Sequence, residues 1–137
     1  MSKPKEWVIT GDHDAIWARM QAIKLAKAAG FSSQASWSIG TALSELVTNA
    51  IKFAKGGKFS MIVQQHTFEI VVEDEGPGIE DIPSALVDGF SEGAVIPPGK
   101  RARGLGSGLG AVKRLMDELI IKNKKSGGLH VRALKHL

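Results

Sequence analysis

The sequence predicts an α/β fold, and three observations predict it. Five short runs rich in β-branched and apolar residues read as strands, at residues 6–10, 58–65, 67–73, 118–123 and 128–134. Between the first two runs lie two longer stretches, 15–29 and 34–54, whose apolar residues recur at helical spacing. The chain is 137 residues long, 43% hydrophobic and 23% charged, which suits one ordinary globular domain, here taken as residues 1–137.

Each element has a local reason. Glu6-Trp7-Val8-Ile9-Thr10 is short and apolar, and Gly11 breaks it. Asp12 or Asp14 is placed to cap the helix that follows. That helix is expected to bury Ile16, Met20, Ile23 and Ala26 and to stop at Gly30, with Trp7 and Trp17 in the core. Ser32-Ser33-Gln34 opens a second helix. Its buried stripe is Ile39, Leu43, Leu46, Val47, Ala50 and Phe53, and Gly56-Gly57 ends it. A polar break near His66 makes the next two runs a hairpin, whose second arm leads straight into Asp74. Residues 75–103 are rich in glycine and proline and read as a lid over a site, with one helical turn at 83–88. A glycine run then opens a helix that ends near Asp117, and two strands joined by a turn at 124–127 close the chain.

Composition removes several function classes. No run approaches the roughly 18 apolar residues of a membrane span. Met-Ser-Lys-Pro-Lys-Glu at the start lacks the apolar centre of a secretion signal. There is no cysteine, hence no disulfide or thiolate–metal site, and a cytoplasmic location is expected. The net charge is +4, partly from residues 100–103 and 122–125. Solvated surface, phosphate contact and an acidic protein partner all remain open as its meaning. Nucleic acid is not expected as a partner, because the basic residues form no long stripe and aromatics are only 6%. His13, His66, His130 and His136 show no metal-ligand spacing, and Ser44, Ser91 and Ser107 have no base paired with them in sequence.

Three stretches carry possible chemistry. Glu45 and Asn49 lie four apart on the second helix and share a face, with Lys52 close to it. A solvated polar ridge explains them too, but an Asn amide oxygen suits Mg²⁺ carried on phosphates, and a Glu one turn away can accept a proton. Asp74 closes a strand and precedes Glu75-Gly76-Pro77-Gly78. This is either a simple turn or a carboxylate facing an exocyclic amine, with glycines that let the backbone approach a flat ring. Gly104-Leu105-Gly106-Ser107-Gly108-Leu109-Gly110 has a glycine at every second position. It reads as a hinge, or as an amide nest for phosphate oxygens at a helix start. Its match to a dinucleotide fingerprint is weak, since no strand precedes it, and no P-loop occurs.

In this order, Glu-x-x-x-Asn-x-x-Lys, Asp-x-Gly-x-Gly and Gly-x-Gly-x-Gly-x-Gly resemble the N, G1 and G2 boxes of the GHKL ATPase/kinase superfamily. A domain of this size is similar to its anti-sigma serine kinase branch. Glu73-Asp74-Glu75-Gly76-Pro77-Gly78-Ile79, Asp88-Gly89-Phe90-Ser91 and Val112-Lys113-Arg114-Leu115-Met116-Asp117-Glu118 look most like the stressosome switch kinases of that branch. The resemblance spans about residues 7–134.

It implies a two-layer Bergerat-type sandwich, a mixed sheet with helices on one face and a flexible ATP lid. It implies ATP and Mg²⁺ as cofactors. Glu45 would be the general base, Asn49 the Mg²⁺ ligand and Asp74 the receiver of the adenine amino group. Lys52, Gly76, Gly78, Ile79 and the run Gly104, Leu105, Gly106, Ser107, Gly108, Leu109 and Gly110 would line the nucleotide site. The activity would be that of a protein serine/threonine kinase acting on a STAS-domain scaffold or antagonist, followed by activation of a partner phosphatase. A nucleotide-binding anti-sigma or regulatory module without kinase activity is the alternative. Residues 92–103 look longer than in related kinases, which leaves the roles of Lys100, Arg101 and Arg103 open.

Overall fold

In a computed structural model, which describes residues 5–54, 56–78 and 108–137, the chain begins with an edge strand. This is β1 (Glu6–Ile9), followed by α1 (His13–Ala28) and α2 (Ser33–Ala54). A hairpin of β2 (Gly57–Gln64) and β3 (Thr67–Glu73) comes next. Beyond the undescribed stretch stand α3 (Gly108–Leu115), β4 (Glu118–Asn123) and β5 (Leu129–His136). The lid, its expected turn at 83–88, Ile79, residues 104–107 and Lys100, Arg101 and Arg103 lie outside the described residues.

The start of α1 is fixed by a carboxylate, though not by the residue in the capping position. Asp12 makes no side-chain cap. Asp14 reaches back instead. Its Oδ2 accepts the Thr10 N–H at 2.7 Å, the Gly11 N–H at 3.1 Å and the Thr10 hydroxyl at 3.1 Å. The Thr10 amide is the main reason its acidity is raised, so its pKa lies below the ordinary 3.8. The helix ends as Gly30 predicts. Gly30, at φ +100°, donates to Lys27 O, and Phe31 donates to Ala26 O, the paired bonds of a Schellman motif.

The buried face of α1 differs from the one expected. Ala15, Ala18, Ala22 and Ala26 point inward, whereas Ile16 is 66% and Met20 62% exposed. Trp17, expected in the core, is also exposed, although its ring meets Trp7 edge-on at 5.5 Å. Close approach to α2 explains the inversion. A Cβ added at Gly40 of α2 would lie 2.7 Å from Ile23 Cγ1 and 3.0 Å from the Arg19 carbonyl oxygen. At that spacing only small residues fit between the helices, and alanine takes the buried positions.

Helix α2 follows its sequence. The Ser32 hydroxyl accepts the Ala35 N–H at 3.0 Å and caps it. Ile39, Leu43, Leu46, Val47 and Ala50 are buried as the spacing requires, and Phe53 packs against the core. Gly56 closes the helix by donating to Ala50 O.

The strands form one sheet in the order β1-β2-β3-β5-β4. The two-layer sandwich is as expected; the sheet expected to be mixed has all four of its pairings antiparallel among the described residues. Gln65 (φ 48°) and His66 (φ 65°) make the hairpin turn, both in the left-handed region that a tight two-residue connection demands. Strand alternation then separates two faces. Phe59, Met61, Phe68, Ile70, Val72, Val131 and Ala133 are buried toward the helices. The other face carries charged pairs across neighbouring strands. Arg132 reaches Glu69 at 2.7 Å, His136 meets Glu118 at 2.7 Å, and Lys58 lies between Glu6 and Glu73. Among the described residues, no helix is long and apolar enough to cross a membrane.

Candidate functional site

The site is built where β3 runs out. Its last residue, Glu73, is still paired with Lys58 and His130, and the chain then leaves the sheet at Asp74. Asp74 is only 4% exposed, so its carboxylate needs partners. Its main chain bonds to Leu129 in both directions, at 3.0 and 3.3 Å. Its Oδ1 accepts the Gly76 N–H at 2.9 Å and the Leu129 N–H at 3.2 Å. The first of these is an Asx turn. The second ties the loop to β5, 55 positions away in sequence. The carboxylate is therefore held in one orientation before any ligand arrives.

Asn49 faces the same place from α2. Together Leu46 and Asn49 from α2, Val72 and Asp74 at the end of β3, Leu109 from α3 and Leu129 from β5 line a small, largely enclosed cavity of about 10 Å³. That is room for one water, so a purine can enter only if the walls part. Asn49 is 6% exposed, and among the described residues its side-chain NH₂ has no hydrogen-bond partner. An unpaired amide at this depth is an unfavourable arrangement by itself and calls for a partner such as a water or a ligand. Since amide oxygen and nitrogen exchange places by a half-turn, the same side chain can present a neutral oxygen to a cation. Among the described residues no three His, Asp or Glu side chains converge as a metal cage. One amide oxygen without a cage suits Mg²⁺ that arrives already bound to phosphates.

The other expected residues fall around this centre to different degrees. Glu45 lies one turn before Asn49 and is half-buried, though it is not part of the cavity wall. Lys52 is exposed. Gly76 and Gly78 lie in the loop after Asp74. Gly78, at φ +77°, sits so close to the Asn123 side chain that a Cβ would collide with it. Gly108, Leu109 and Gly110 form the first turn of α3, and Leu109 alone of them touches the cavity. Sequence reasoning placed the β4–β5 turn but missed its contacts with the site. Leu129 supplies an amide to Asp74, and Lys124 pairs with Glu75 at 2.7 Å. The adjacent Gly127-Gly128 was the available signal, since two glycines in a strand connection mark a close backbone approach.

A much larger hollow lies elsewhere, a groove of about 550 Å³ lined by Trp7, Val8, Ile16, Trp17 and Met20, with His13 and Asp14 at its rim. It shares no residue with the Asn49–Asp74 cavity.

Comparison with known proteins identifies the family. The model of the histidine kinase-like ATPase domain matches residues 13–135. The serine/threonine-protein kinase RsbT of Bacillus subtilis (strain 168) is 36% identical over 135 residues, covering 94% of this chain and 93% of that one. The chain belongs to the histidine kinase-like ATPase domain family. Within this family the similarity extends to an anti-sigma F factor of Anoxybacillus flavithermus (strain DSM 21510 / WK1), 32% identical over 72% of this chain and 68% of that one. The fold is shared with a mycobacterial sensor histidine kinase, MprB, at a TM-score of 0.51 and 15% identity, over 98% of this chain and all of that one. This histidine kinase-like ATPase domain is thus an ATP-binding domain on the serine/threonine-kinase and anti-sigma-factor branch of its family.

Proposed function

We propose that this domain is an ATP- and Mg²⁺-dependent serine/threonine protein kinase of the cytoplasm, working in a partner-switching stress pathway. Its substrate is a hydroxyl on a STAS-domain scaffold or antagonist of the stressosome type, and after transfer it activates a partner phosphatase. The observation that supports this reading is the meeting of two unlike polar groups, Asn49 and Asp74, in one largely enclosed apolar cavity. Asp74, fixed by two backbone amides, accepts a hydrogen bond from the adenine amino group. Asn49 would hold Mg²⁺ through its amide oxygen, and the ion would neutralise charge on the phosphates when bound. Glu45, one turn away, orients the acceptor hydroxyl and takes its proton. The glycines at 104–110 offer amides to the phosphate oxygens. Phosphoryl transfer asks for little beyond such positioning and charge stabilisation.

The test is transfer of radiolabelled phosphate from Mg·ATP to a STAS-domain protein. Glu45→Ala is expected to abolish transfer while keeping nucleotide affinity, and Asn49→Ala to lose Mg·ATP. Full activity in Glu45→Ala removes Glu45 from the mechanism. A second reading, a nucleotide-dependent anti-sigma module without chemistry, is favoured by the similarity to anti-sigma F factors. Pull-down with and without ATP separates the two, because only the kinase leaves a phosphorylated partner detectable by mass spectrometry.

A further inference from the structure

We infer that the β4–β5 turn, through Lys124 and Gly128, is a template that sets the orientation of Asp74 and thereby the selectivity of the site for a 6-aminopurine. The inference rests on the proposed role of Asp74. It comes from the number of independent contacts that the turn makes with the loop after β3. Leu129, where the turn becomes β5, donates its N–H to Asp74 Oδ1 and is paired with the Asp74 main chain. Gly128, at φ +91°, lies so close to the Asp74 carbonyl that no Cβ fits between them. Lys124 Nζ bonds Glu75 Oε1 at 2.7 Å, and the lysine side chain is only 16% exposed. Asn123 lies against Gly78, so the two segments touch at both ends of the loop.

The turn is itself closed. Gly127 donates to Lys124 O, and Lys124 donates to Gly128 O. Such a braced turn transmits its own shape to the segment it touches. The chemistry at stake is directional. A carboxylate oxygen accepts from the amino group of adenine, whereas the same oxygen opposes the carbonyl at that position of guanine. Discrimination then depends on where that oxygen points, and a loop free to rotate would lose it. Lys124 and Gly128 touch no reacting atom in this scheme; they are positioning residues acting through Asp74.

The experiment measures ATP and GTP affinities by isothermal titration calorimetry in the full chain. Asp74→Ala, Gly128→Ala, Lys124→Ala, and the exchange Lys124→Glu with Glu75→Lys are compared. Gly128→Ala is expected to weaken ATP at least about tenfold, since one tenfold step needs only a small displacement energy. Lys124→Ala is expected to weaken ATP about threefold, the range of a partly exposed ion pair. In both variants the ATP/GTP preference should fall, and the charge exchange should restore it. A variant that merely loosens the fold weakens both nucleotides alike and leaves the preference unchanged; that result overturns the inference. Failure of Gly128→Ala to fold leaves the lysine and exchange variants to decide. If Asp74→Ala itself leaves ATP affinity intact, the underlying reading of Asp74 fails. If Asp74→Ala abolishes binding but the turn variants keep both affinity and preference, only the template inference fails.

Discussion

Two hollows of this molecule differ in nearly every respect, and the contrast shows what makes a site. The groove beside β1 and α1 encloses about 550 Å³, is walled by Trp7, Val8, Ile16, Trp17 and Met20, and stands open. The cavity between α2 and the end of β3 encloses about 10 Å³ and is far more enclosed. Volume favours the groove. Chemistry favours the cavity. The carboxylate at the groove's rim, Asp14, is already engaged by Thr10 and Gly11 in holding the start of α1. In the cavity, by contrast, Asn49 carries a buried NH₂ that no described residue satisfies. A protein rarely keeps such a group without a use for it, so the smaller hollow is the better candidate.

Apolar side chains in the two hollows should respond unequally to truncation, and the loss in the cavity is the largest effect expected. Leu109 is 1% exposed and forms one wall of the small cavity. Leu109→Ala removes buried methyl groups that the neighbours cannot fully replace, at a cost of about 2–5 kcal/mol in urea unfolding. Nucleotide affinity should fall in the same variant, since the wall beside Asn49 and Asp74 has gone. A loss below about 1 kcal/mol would mean that the cavity collapses freely, and would break the distinction between a built wall and a loose one.

A smaller effect is expected at the groove's rim. The Asp14 carboxyl pKa is held below its ordinary value mainly by the Thr10 amide. A carboxyl group with a lowered folded pKa adds stability above its unfolded pKa and loses it as pH falls through the folded value. Asp14→Asn should therefore reduce stability near neutral pH by about 1 kcal/mol, the usual worth of a helix-start contact. The gap between variant and parent in thermal unfolding should narrow as pH falls below the ordinary carboxylate value. A gap that stays constant with pH would assign the effect to packing. Nucleotide affinity should not change in Asp14→Asn at all.

What the sequence disclosed, and what it hid, follows from the size of the residues and the range of the contacts. Helix α2 was legible because Ile39, Leu43, Leu46 and Val47 are large and all face one way. Helix α1 was legible only in part, at Ala26 and the half-buried Ile23, because its buried residues are alanines while Ile16 and Met20 face outward. The reason lies in Gly40, on a different helix, which draws the two axes together. Asn49 and Asp74 were legible as motif residues, and the five strands came from β-branched runs. Leu129, Gly128 and Lys124 stayed hidden, because their contacts with Asp74 and Glu75 depend on the register between β3 and β5. No local pattern encodes a pairing across that separation. Nor does periodicity distinguish Glu45, half-buried, from Lys52, exposed, on the same side of one helix.

The smallest expected effect is the most direct check on the corrected phase of α1. Ile16 and Met20 would be core residues by spacing alone, yet they are 66% and 62% exposed. A substitution there leaves no cavity, because solvent already reaches the side chain. Ile16→Ser and Met20→Ser should each change stability by no more than about 0.5 kcal/mol. Inserting bulk on the opposite side should behave differently. Ala22 is fully buried between the helices, and Ala22→Leu should cost about 1–3 kcal/mol by overpacking. A large loss in Ile16→Ser with none in Ala22→Leu would restore the phase read from spacing and place the groove inside the core. The converse result leaves Ile16 and Met20 as outward apolar residues beside the edge strand β1. Nucleotide affinity unchanged in all three variants would show that this groove and the Asn49–Asp74 cavity act independently.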